Sequence, residues 1–218
     1  MKILGIHYGH DSNAAIIDNG KVAYAVSEER LNRKKFFRGF PFLSIQSALK
    51  YTGLHPCNID KVVLVNSKAQ EETLGSNLKT FYTRINRPIP WYAYLMSMPL
   101  SVIDNLFGLT VRRKVAQKMV LETLCRLGFR SEKVSFIDHH LSHAAGAFFL
   151  SGFNEALVFT SDGKGDHVSH RTYIIRSNSF EKLCESRALD SAGFFYSCIT
   201  SYLGFKKLRH EGKITGLA

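Results

Sequence analysis

Short apolar runs separated by polar residues open the chain and predict three strands. The runs lie at 3–8, 14–17 and 22–26, a spacing typical of short strands joined by turns. The second turn, Asp18-Asn19-Gly20-Lys21, has the composition of a tight hairpin that requires positive φ angles. The chain therefore begins as strand, turn, strand, turn, strand.

The middle of the chain predicts a helix, a buried strand, an insertion and a second helix. Pro41 opens the first helix and Gly53 ends it, and the β-branched run at 62–65 predicts the strand. The sequence at 68–108 suggests an apolar insertion, interpreted either as a helical pair that covers the core or as a contact for a partner or a membrane surface. The apolar spacing over 111–127 predicts a long amphipathic helix.

The last third predicts a second strand–turn–strand unit. A strand at 134–137 leads into a helix over 138–149, for which Asp138 is a favourable N-cap. A buried strand at 156–160 ends in the polar turn 161–166, its hairpin partner follows at 168–175, and a helix is predicted at 194–203. This strand–turn–strand order, with Gly and Asp in the turn, is the same as at the opening of the chain. Paired units of this kind, with Gly and Asp in the turn, are how actin-like ATPase folds hold nucleotide phosphates.

Composition narrows the class of protein. The 218 residues, 45% of them hydrophobic, exclude a disordered tail, a collagen-like repeat and a disulfide miniprotein. The four cysteines include no C-x-x-C pair, which indicates reduced thiols and a cytoplasmic location. The first residues become polar too soon for a signal peptide, and the longest charge-free apolar stretch is too short to cross a bilayer. The net charge of +11 allows an anionic partner, but no nucleic-acid-binding motif accompanies it.

Two histidines one helical turn apart are candidate metal ligands. His139 and His143 stand at i and i+4 behind the N-cap, so both imidazoles face one way. Asp162, followed by Gly163, is predicted at the carboxyl end of a strand, where ligands gather in α/β folds. Such a set of nitrogen and oxygen ligands favours Fe, Mn or Zn. The alternatives are exposed or core-edge histidines and a turn-capping aspartate.

Two other polar segments are candidates for chemistry. His10 and Asp11 occupy the first tight turn, where the imidazole could accept a proton from an incoming hydroxyl. The alternative is an ordinary turn histidine. A charged segment after the third strand could hold an anionic group, or could be a solvated loop. Its candidate binding residues are Glu29, Arg30, Arg33 and Lys35.

These motifs together resemble the O-carbamoyltransferases of nodulation-factor and antibiotic biosynthesis. The segment 10–15 is similar to the H-D-S-x-A-A opening of that family, and 28–41 to its E-E-R-F-x-R-x-K-H…F-P motif. Residues 138–145 match D-H-H-x-x-H-A-A, residues 161–165 match x-D-G-x-G, and residues 196–218 match Y…T…L-G-F…E-G-K-x-M-G-L-A. Phe36, Asn13 and Thr215 depart from the family pattern, and the segment 68–108 matches it least.

The resemblance implies an actin-like ATPase (ribonuclease-H-like) α/β fold, of which this chain would be the first lobe and the start of the second. It also implies a YrdC-like domain outside this chain. The implied activity is transfer of a carbamoyl group from carbamoyl phosphate, through an ATP-derived carbamoyl-adenylate, to a hydroxyl of a small-molecule or sugar acceptor. We therefore expect a transferase, with a homodimer allowed for the full-length protein and no membrane or nucleic-acid partner.

The resemblance also implies roles for particular residues. His139, His143 and Asp162 would hold a metal, with Fe²⁺ expected and Mn²⁺ or Zn²⁺ as options. His10, with Asp11 beside it, would act as general base. Nucleotide or carbamoyl-adenylate contacts would come from Ser12, Gly163, Gly165, Gly212, Lys213 and Gly216.

The family continues beyond the position of Ala218, through a further metal-binding aspartate and the second half of the ATPase fold. We expect the isolated chain to be catalytically inactive and to bind metal weakly. Two other hypotheses stay open: another actin-like ATPase, such as a sugar kinase or a tRNA threonylcarbamoyl-transfer protein, and a basic interaction module on a degenerate ATPase scaffold.

Overall fold

The computed structural model describes residues 1–65, 116–207 and 209–217. The predicted insertion at 68–108 and the first part of the predicted helix at 111–127 lie outside these ranges. The chain divides into two compact units, Met1–Ile137 and Asp138–Ala218.

The first unit is a mixed sheet with helices. Its elements in chain order are β1 (Lys2–His7), β2 (Gly9–His10), β3 (Asn13–Asp18), β4 (Lys21–Ser27), α1 (Glu28–Asn32), β5 (Arg38–Gly39), α2 (Phe42–Thr52), β6 (Lys61–Val65), α3 (helical at 116–126) and β7 (Val134–Ile137).

The main sheet of this unit has the strand order β4-β3-β1-β6-β7. The pairs β3–β4 and β1–β3 are antiparallel, whereas β1–β6 and β6–β7 are parallel. Three antiparallel strands continued by two parallel ones is the order of a ribonuclease-H-like lobe, and the predicted α/β class is confirmed. A separate two-stranded pair, β2–β5, joins the first turn to the segment before α2.

Local sequence signals explain several boundaries of the first unit. Asn19 and Gly20 adopt φ angles of 47° and 80°, as the tight hairpin between β3 and β4 requires. Gly53 ends α2 with φ 65°, and its amide donates to carbonyl oxygens of the last helical turn. Between sheet and helices lies the core, whose sheet and helix residues are Leu4, Ile6, Ile16, Val62, Leu64, Ile45, Ala48, Met119 and Leu124.

The second unit is a three-stranded antiparallel sheet with helices. Its elements are α4 (His139–Ser151), β8 (Glu155–Gly165), β9 (Val168–Arg176), β10 (Ser179–Arg187), α5 (Ala192–Tyr202) and α6 (Glu211–Thr215). The strand order is β10-β9-β8. The small core joins Ala144 and Phe148 of α4 to Tyr173 and Ile175 of β9.

The second unit corrects two expectations. The strand predicted as buried at 156–160 is the edge strand β8, which exposes Leu157 and Phe159 on one face and runs on to Gly165. The expectation failed because an apolar run does not tell a fully buried strand from one with an uncovered face. The strand β10 was not predicted, since its sequence SFEKLCESR mixes polar and apolar residues without a clear core face. In the described ranges 1–65 and 116–217, apart from 208, no helix has the length and apolarity needed to span a membrane.

Candidate metal centre

The helix α4 carries two imidazoles on one face, and its first turn is firmly capped. Asp138 is the N-cap, as predicted, and its carboxylate accepts a hydrogen bond from the amide of Leu141 at 3.0 Å. Arg171 of β9 donates to the same carboxylate at 2.5 Å. Burial opposes ionisation of Asp138, but the Leu141 amide and the Arg171 guanidinium outweigh it and lower the pKa of this carboxyl. The cap therefore stays charged at neutral pH.

The strand β8 brings a carboxylate to this helix through an irregular segment. Regular pairing with β9 is interrupted between Ser161 and Gly165, and Asp162 lies within that interruption rather than at the end of the strand. Its Oδ1 accepts a hydrogen bond from the amide of Gly163 at 2.6 Å. Its carbonyl oxygen accepts one from the hydroxyl of Ser191, the N-cap of α5, at 3.3 Å. The side chain of Asp162 is thus aimed toward α4.

The three predicted ligands converge. His139 Nε2 lies 2.7 Å from Asp162 Oδ2 and 3.1 Å from His143 Nε2, and His143 Nε2 lies 3.8 Å from the same Oδ2. Among the described residues, His139, His143 and Asp162 form a group whose potential ligand atoms lie within 4.8 Å of one another. Ligands about 2.1 Å from one cation stand about 3.0–3.4 Å apart at octahedral to tetrahedral angles, so the triad is near the spacing that a metal needs.

Hydrogen bonding alone accounts poorly for this arrangement. The imidazole of His139, and then that of His143 nearby, hold the pKa of Asp162 far below its usual value, so the carboxylate is ionised. A single proton on Nε2 of His139 cannot serve Asp162 and His143 with two linear hydrogen bonds. A cation could instead accept one lone pair from each of the three atoms. The donor set of two imidazoles and one carboxylate fits a borderline divalent metal.

The burial of the triad is graded. The side chain of His139 is only 4% exposed, that of Asp162 34% and that of His143 56%. One side of the group is therefore set into the unit, while the His143 side is open to solvent. Within the part of the chain that the structure describes, the His143 side is the most open to a small ligand.

His140, the neighbour of His139, has a structural role. It is fully buried, and its Nε2 donates to the carbonyl oxygen of Val168 at 3.1 Å, while its Nδ1 lies 2.9 Å from the hydroxyl of Thr160. Burial lowers the pKa of His140, which favours the neutral imidazole. The strands β8 and β9 supply both of its hydrogen-bond partners, so His140 fixes the helix against the sheet.

Asp166 is a residue of this centre that sequence reasoning did not single out. It is buried at the hairpin between β8 and β9, and its Oδ2 accepts a hydrogen bond from the backbone amide of His139 at 2.9 Å. Two aspartates therefore serve α4, Asp138 at the amide of Leu141 and Asp166 at that of His139. The sequence Gly165-Asp166 indicates a tight turn, but no local pattern connects Asp166 to the amide of His139.

The predicted general base lies in the first unit. His10 Nδ1 is 3.0 Å from Asp11 Oδ2, and the carbonyl oxygen of His10 accepts a hydrogen bond from His7 Nε2 at 2.9 Å. If Nδ1 donates to the carboxylate, Nε2 of His10 carries the basic lone pair. The side chain of His10 is 45% exposed. The structure thus pairs His10 with Asp11, as their adjacency in the turn allows.

The predicted nucleotide contacts are spread over the two units. Ser12 is buried in the first unit, and its hydroxyl has no hydrogen-bond partner within the described ranges. Gly163 and Gly165 flank the irregular part of β8. The other three, Gly212, Lys213 and Gly216, are exposed on or beside α6, which hydrogen bonds tie to α5.

The charged segment after β4 forms a short helix, α1, followed by an exposed turn that contains Arg33 and Lys35. Glu28 is buried and accepts hydrogen bonds from the amides of Leu43 and Ser44, so it caps α2. Glu29 accepts one from the amide of Phe36. The remaining predicted anion-binding residues, Arg30, Arg33 and Lys35, are exposed.

Comparison with known proteins identifies the class. Residues 2–218 match the family described as Carbamoyltransferase N-terminus, which covers nearly the whole chain. The chain belongs to this carbamoyltransferase family, as its motifs predicted.

Individual relatives align with nearly the whole chain. The chain is 32% identical over 209 residues to the nodulation protein NolNO of Sinorhizobium fredii, covering 96% of this chain and 27% of that protein. It is 32% identical over 216 residues to protein MJ1051 of Methanocaldococcus jannaschii, covering 99% of this chain and 33% of the relative. The chain spans about a third of the length of these curated relatives.

Among solved structures, YeaZ from Pseudomonas aeruginosa matches with 9% identity and a TM-score of 0.42, over 85% of this chain and 66% of that one.

Proposed function

We propose that this chain supplies the metal-binding part of an O-carbamoyltransferase. The proposed reaction moves a carbamoyl group from carbamoyl phosphate, by way of an ATP-derived carbamoyl-adenylate, to a hydroxyl of a small-molecule or sugar acceptor in the cytoplasm. The observation that carries the proposal is the convergence of His139 Nε2, His143 Nε2 and Asp162 Oδ2 within 3.8 Å. Membership of the carbamoyltransferase family supports it over a sugar kinase or a basic interaction module.

The triad would hold the cation through two imidazole nitrogens and one carboxylate oxygen, and Fe²⁺ is the proposed metal. When bound, the metal supplies a positive charge that stabilises negative charge on a phosphate leaving group. Three protein ligands leave coordination positions for substrate oxygens, and the exposed His143 side is where these would enter.

The proposed chemistry of His10 is general-base catalysis. Its Nε2 accepts the proton of the acceptor hydroxyl while Nδ1 donates to Asp11, which orients the ring and stabilises the imidazolium. The acceptor oxygen forms a bond to the carbamoyl carbon, and the bond from that carbon to the adenylate phosphate oxygen breaks, so that AMP leaves. The proposal requires the remaining half of the ATPase domain and a YrdC-like domain as partners.

Metal binding by the triad is tested first, with anaerobic Fe²⁺ as the probe. His143→Ala is the informative variant because the side chain is 56% exposed, so its loss leaves the fold intact. Since outer-shell changes alone cost about 10–100-fold in metal affinity, loss of a ligand is expected to cost more than about 100-fold. The matched control is His167→Asn, which removes an exposed imidazole from the β8–β9 hairpin and keeps a residue that tolerates its φ of 67°.

The general base is tested separately, on the protein joined to the partners that the proposal requires. His10→Ala is expected to lower the rate of carbamoyl transfer by about 10²–10⁴-fold without changing metal affinity. His55→Ala, at an exposed histidine of the same unit, is expected to leave both unchanged. Absence of saturable metal binding by the wild type, both alone and joined to the partners that the proposal requires, would refute the metal-binding part of the proposal. Full activity of His10→Ala would refute the base.

A further inference from the structure

We infer that Gly165 and Asp166 are positioning residues that fix His139 in the geometry of a metal ligand. The inference rests on the proposed function, because it concerns how the same triad is held. It assigns a structural task to a glycine for which the family resemblance implies a nucleotide contact, and a task to an aspartate that neither the sequence motifs nor the comparisons single out.

Gly165 lies against the ring of His139. A Cβ atom at position 165 would stand 2.5 Å from Cγ and 2.7 Å from Nε2 of that ring, closer than real Cβ atoms approach other heavy atoms. Gly165 is not among the glycines with positive φ, so its backbone conformation is open to other residues. Glycine is therefore required here by the space that the imidazole occupies, not by the turn.

The ring has no room to step aside. The side chain of His139 is 4% exposed, and its Nε2 is 2.7 Å from the carboxylate of Asp162. Moving the ring away from an added methyl group would move Nε2 out of the triad. The contact thus couples the identity of residue 165 to the position of one ligand atom.

Asp166 fixes the backbone of the same residue. Its Oδ2 lies 2.9 Å from the amide nitrogen of His139, which begins α4 and has no acceptor within the helix. Asp166 holds a left-handed conformation, with φ 51°, although it is not glycine. An Asp side chain in such a hairpin tolerates this conformation, and here its carboxylate is also placed at the positive end of the helix.

The two contacts act on different parts of one residue. Gly165 sets where the ring of His139 lies, and Asp166 sets where its backbone lies. His143, by contrast, is more than half exposed. We therefore assign His139 as the preorganised ligand of the pair, held in place before any metal arrives.

The first test compares two glycine-to-alanine substitutions, with Co²⁺ alone as the probe and its visible absorption as the readout. Gly165→Ala is expected to weaken Co²⁺ binding by about 10–100-fold and to alter the absorption bands, because one imidazole is displaced. Gly146→Ala is the matched control: it lies on α4, and an added Cβ there contacts nothing within 4 Å. Melting of each metal-free variant separates a loss of affinity from a loss of folding.

The second test uses Asp166 and decides the matter if Gly165→Ala does not fold. Asp166→Ala removes the acceptor of the His139 amide and is expected to weaken Co²⁺ binding by about 10-fold. Asp166→Asn keeps an oxygen in place and is expected to recover most of that loss. A merely structural role would lower the melting temperature without changing the Co²⁺ spectrum.

The outcomes separate this inference from the proposed function. If wild type binds no Co²⁺, the proposed metal site fails and the inference fails with it. If wild type and His167→Asn bind Co²⁺ while Gly165→Ala or Asp166→Ala binds with unchanged affinity and spectrum, the proposed function stands and the positioning role is refuted.

Discussion

Removal of the Glu28 carboxylate should destabilise the first unit more than any exposed substitution. Glu28 begins α1, yet its side chain caps the start of α2. Oε1 accepts a hydrogen bond from the amide of Leu43 at 3.1 Å, and Oε2 accepts hydrogen bonds from the amide and the hydroxyl of Ser44, both at 2.7 Å. The residue at the N-cap position of α2 is Pro41, whose side chain makes no capping hydrogen bond. Glu28 therefore replaces the missing local cap.

Two bounds set the expected effect of Glu28→Ala. Loss of an ordinary helix N-cap costs about 1–2 kcal/mol and gives the lower bound. Three hydrogen bonds to a charged group, at about 1.5–3 kcal/mol each, give an upper bound that relaxation and entering water reduce. Because Glu28 is only 2% exposed, water replaces the carboxylate incompletely. We expect the free energy of unfolding of the first unit to fall by about 2–4 kcal/mol.

Urea unfolding followed by circular dichroism measures this change, and hydrogen exchange over residues 42–52 locates it in α2. Glu28→Gln keeps the shape but turns one oxygen into a donor, so it should lose part of the same stability. Glu132→Ala, at an exposed position, should change stability by less than about 0.5 kcal/mol. A loss below about 1 kcal/mol for Glu28→Ala, or unchanged exchange in α2, would show that the capping argument is mistaken.

Three further predictions concern stability. The pKa of Asp138 is lowered in the folded chain, so the stabilisation it provides with Arg171 is present above the unfolded pKa of about 3.9 and is lost as the pH falls through the folded pKa. The difference in unfolding free energy between wild type and Asp138→Asn should therefore shrink below about pH 4. A difference that does not change with pH would contradict this. Thr160→Val removes the hydroxyl that hydrogen-bonds Nδ1 of the buried His140, and should lower the free energy of unfolding in urea by about 1–3 kcal/mol. An unchanged midpoint would mean that this hydrogen bond contributes nothing to stability. Gly53→Ala places a Cβ on a residue with φ 65° and should cost about 1 kcal/mol by thermal melting, whereas a gain would argue against a conformational role.

Much of the candidate centre could be predicted because its signals are local. The i and i+4 spacing of His139 and His143 fixes their common face, and Asp138 marks the start of their helix. The hairpin at Asn19 and Gly20 could also be predicted from the sequence. Its turn needs positive φ at both positions, and Asn and Gly are among the few residues that adopt it readily.

What the sequence did not predict depends on contacts between distant segments. Glu28 lies 16 residues from Ser44, and no local pattern connects a glutamate after one strand to the amides of a later helix. Asp162 was expected at the end of a buried strand, but a register interruption carries β8 past it to Gly165. Asp166 had no local signal as a cap, because its partner is an amide 27 residues earlier.

The centre also has a mechanical consequence. His139 and Asp162 are 23 residues apart, so an ion shared between them would close a loop of that length between a helix and a hairpin. A permanent cross-link closing such a loop stabilises a fold by about 3 kcal/mol in the chain-entropy estimate. A bound cation would thus act as a reversible cross-link. Its removal by a chelator would lower the stability of the fold as well as stop the reaction.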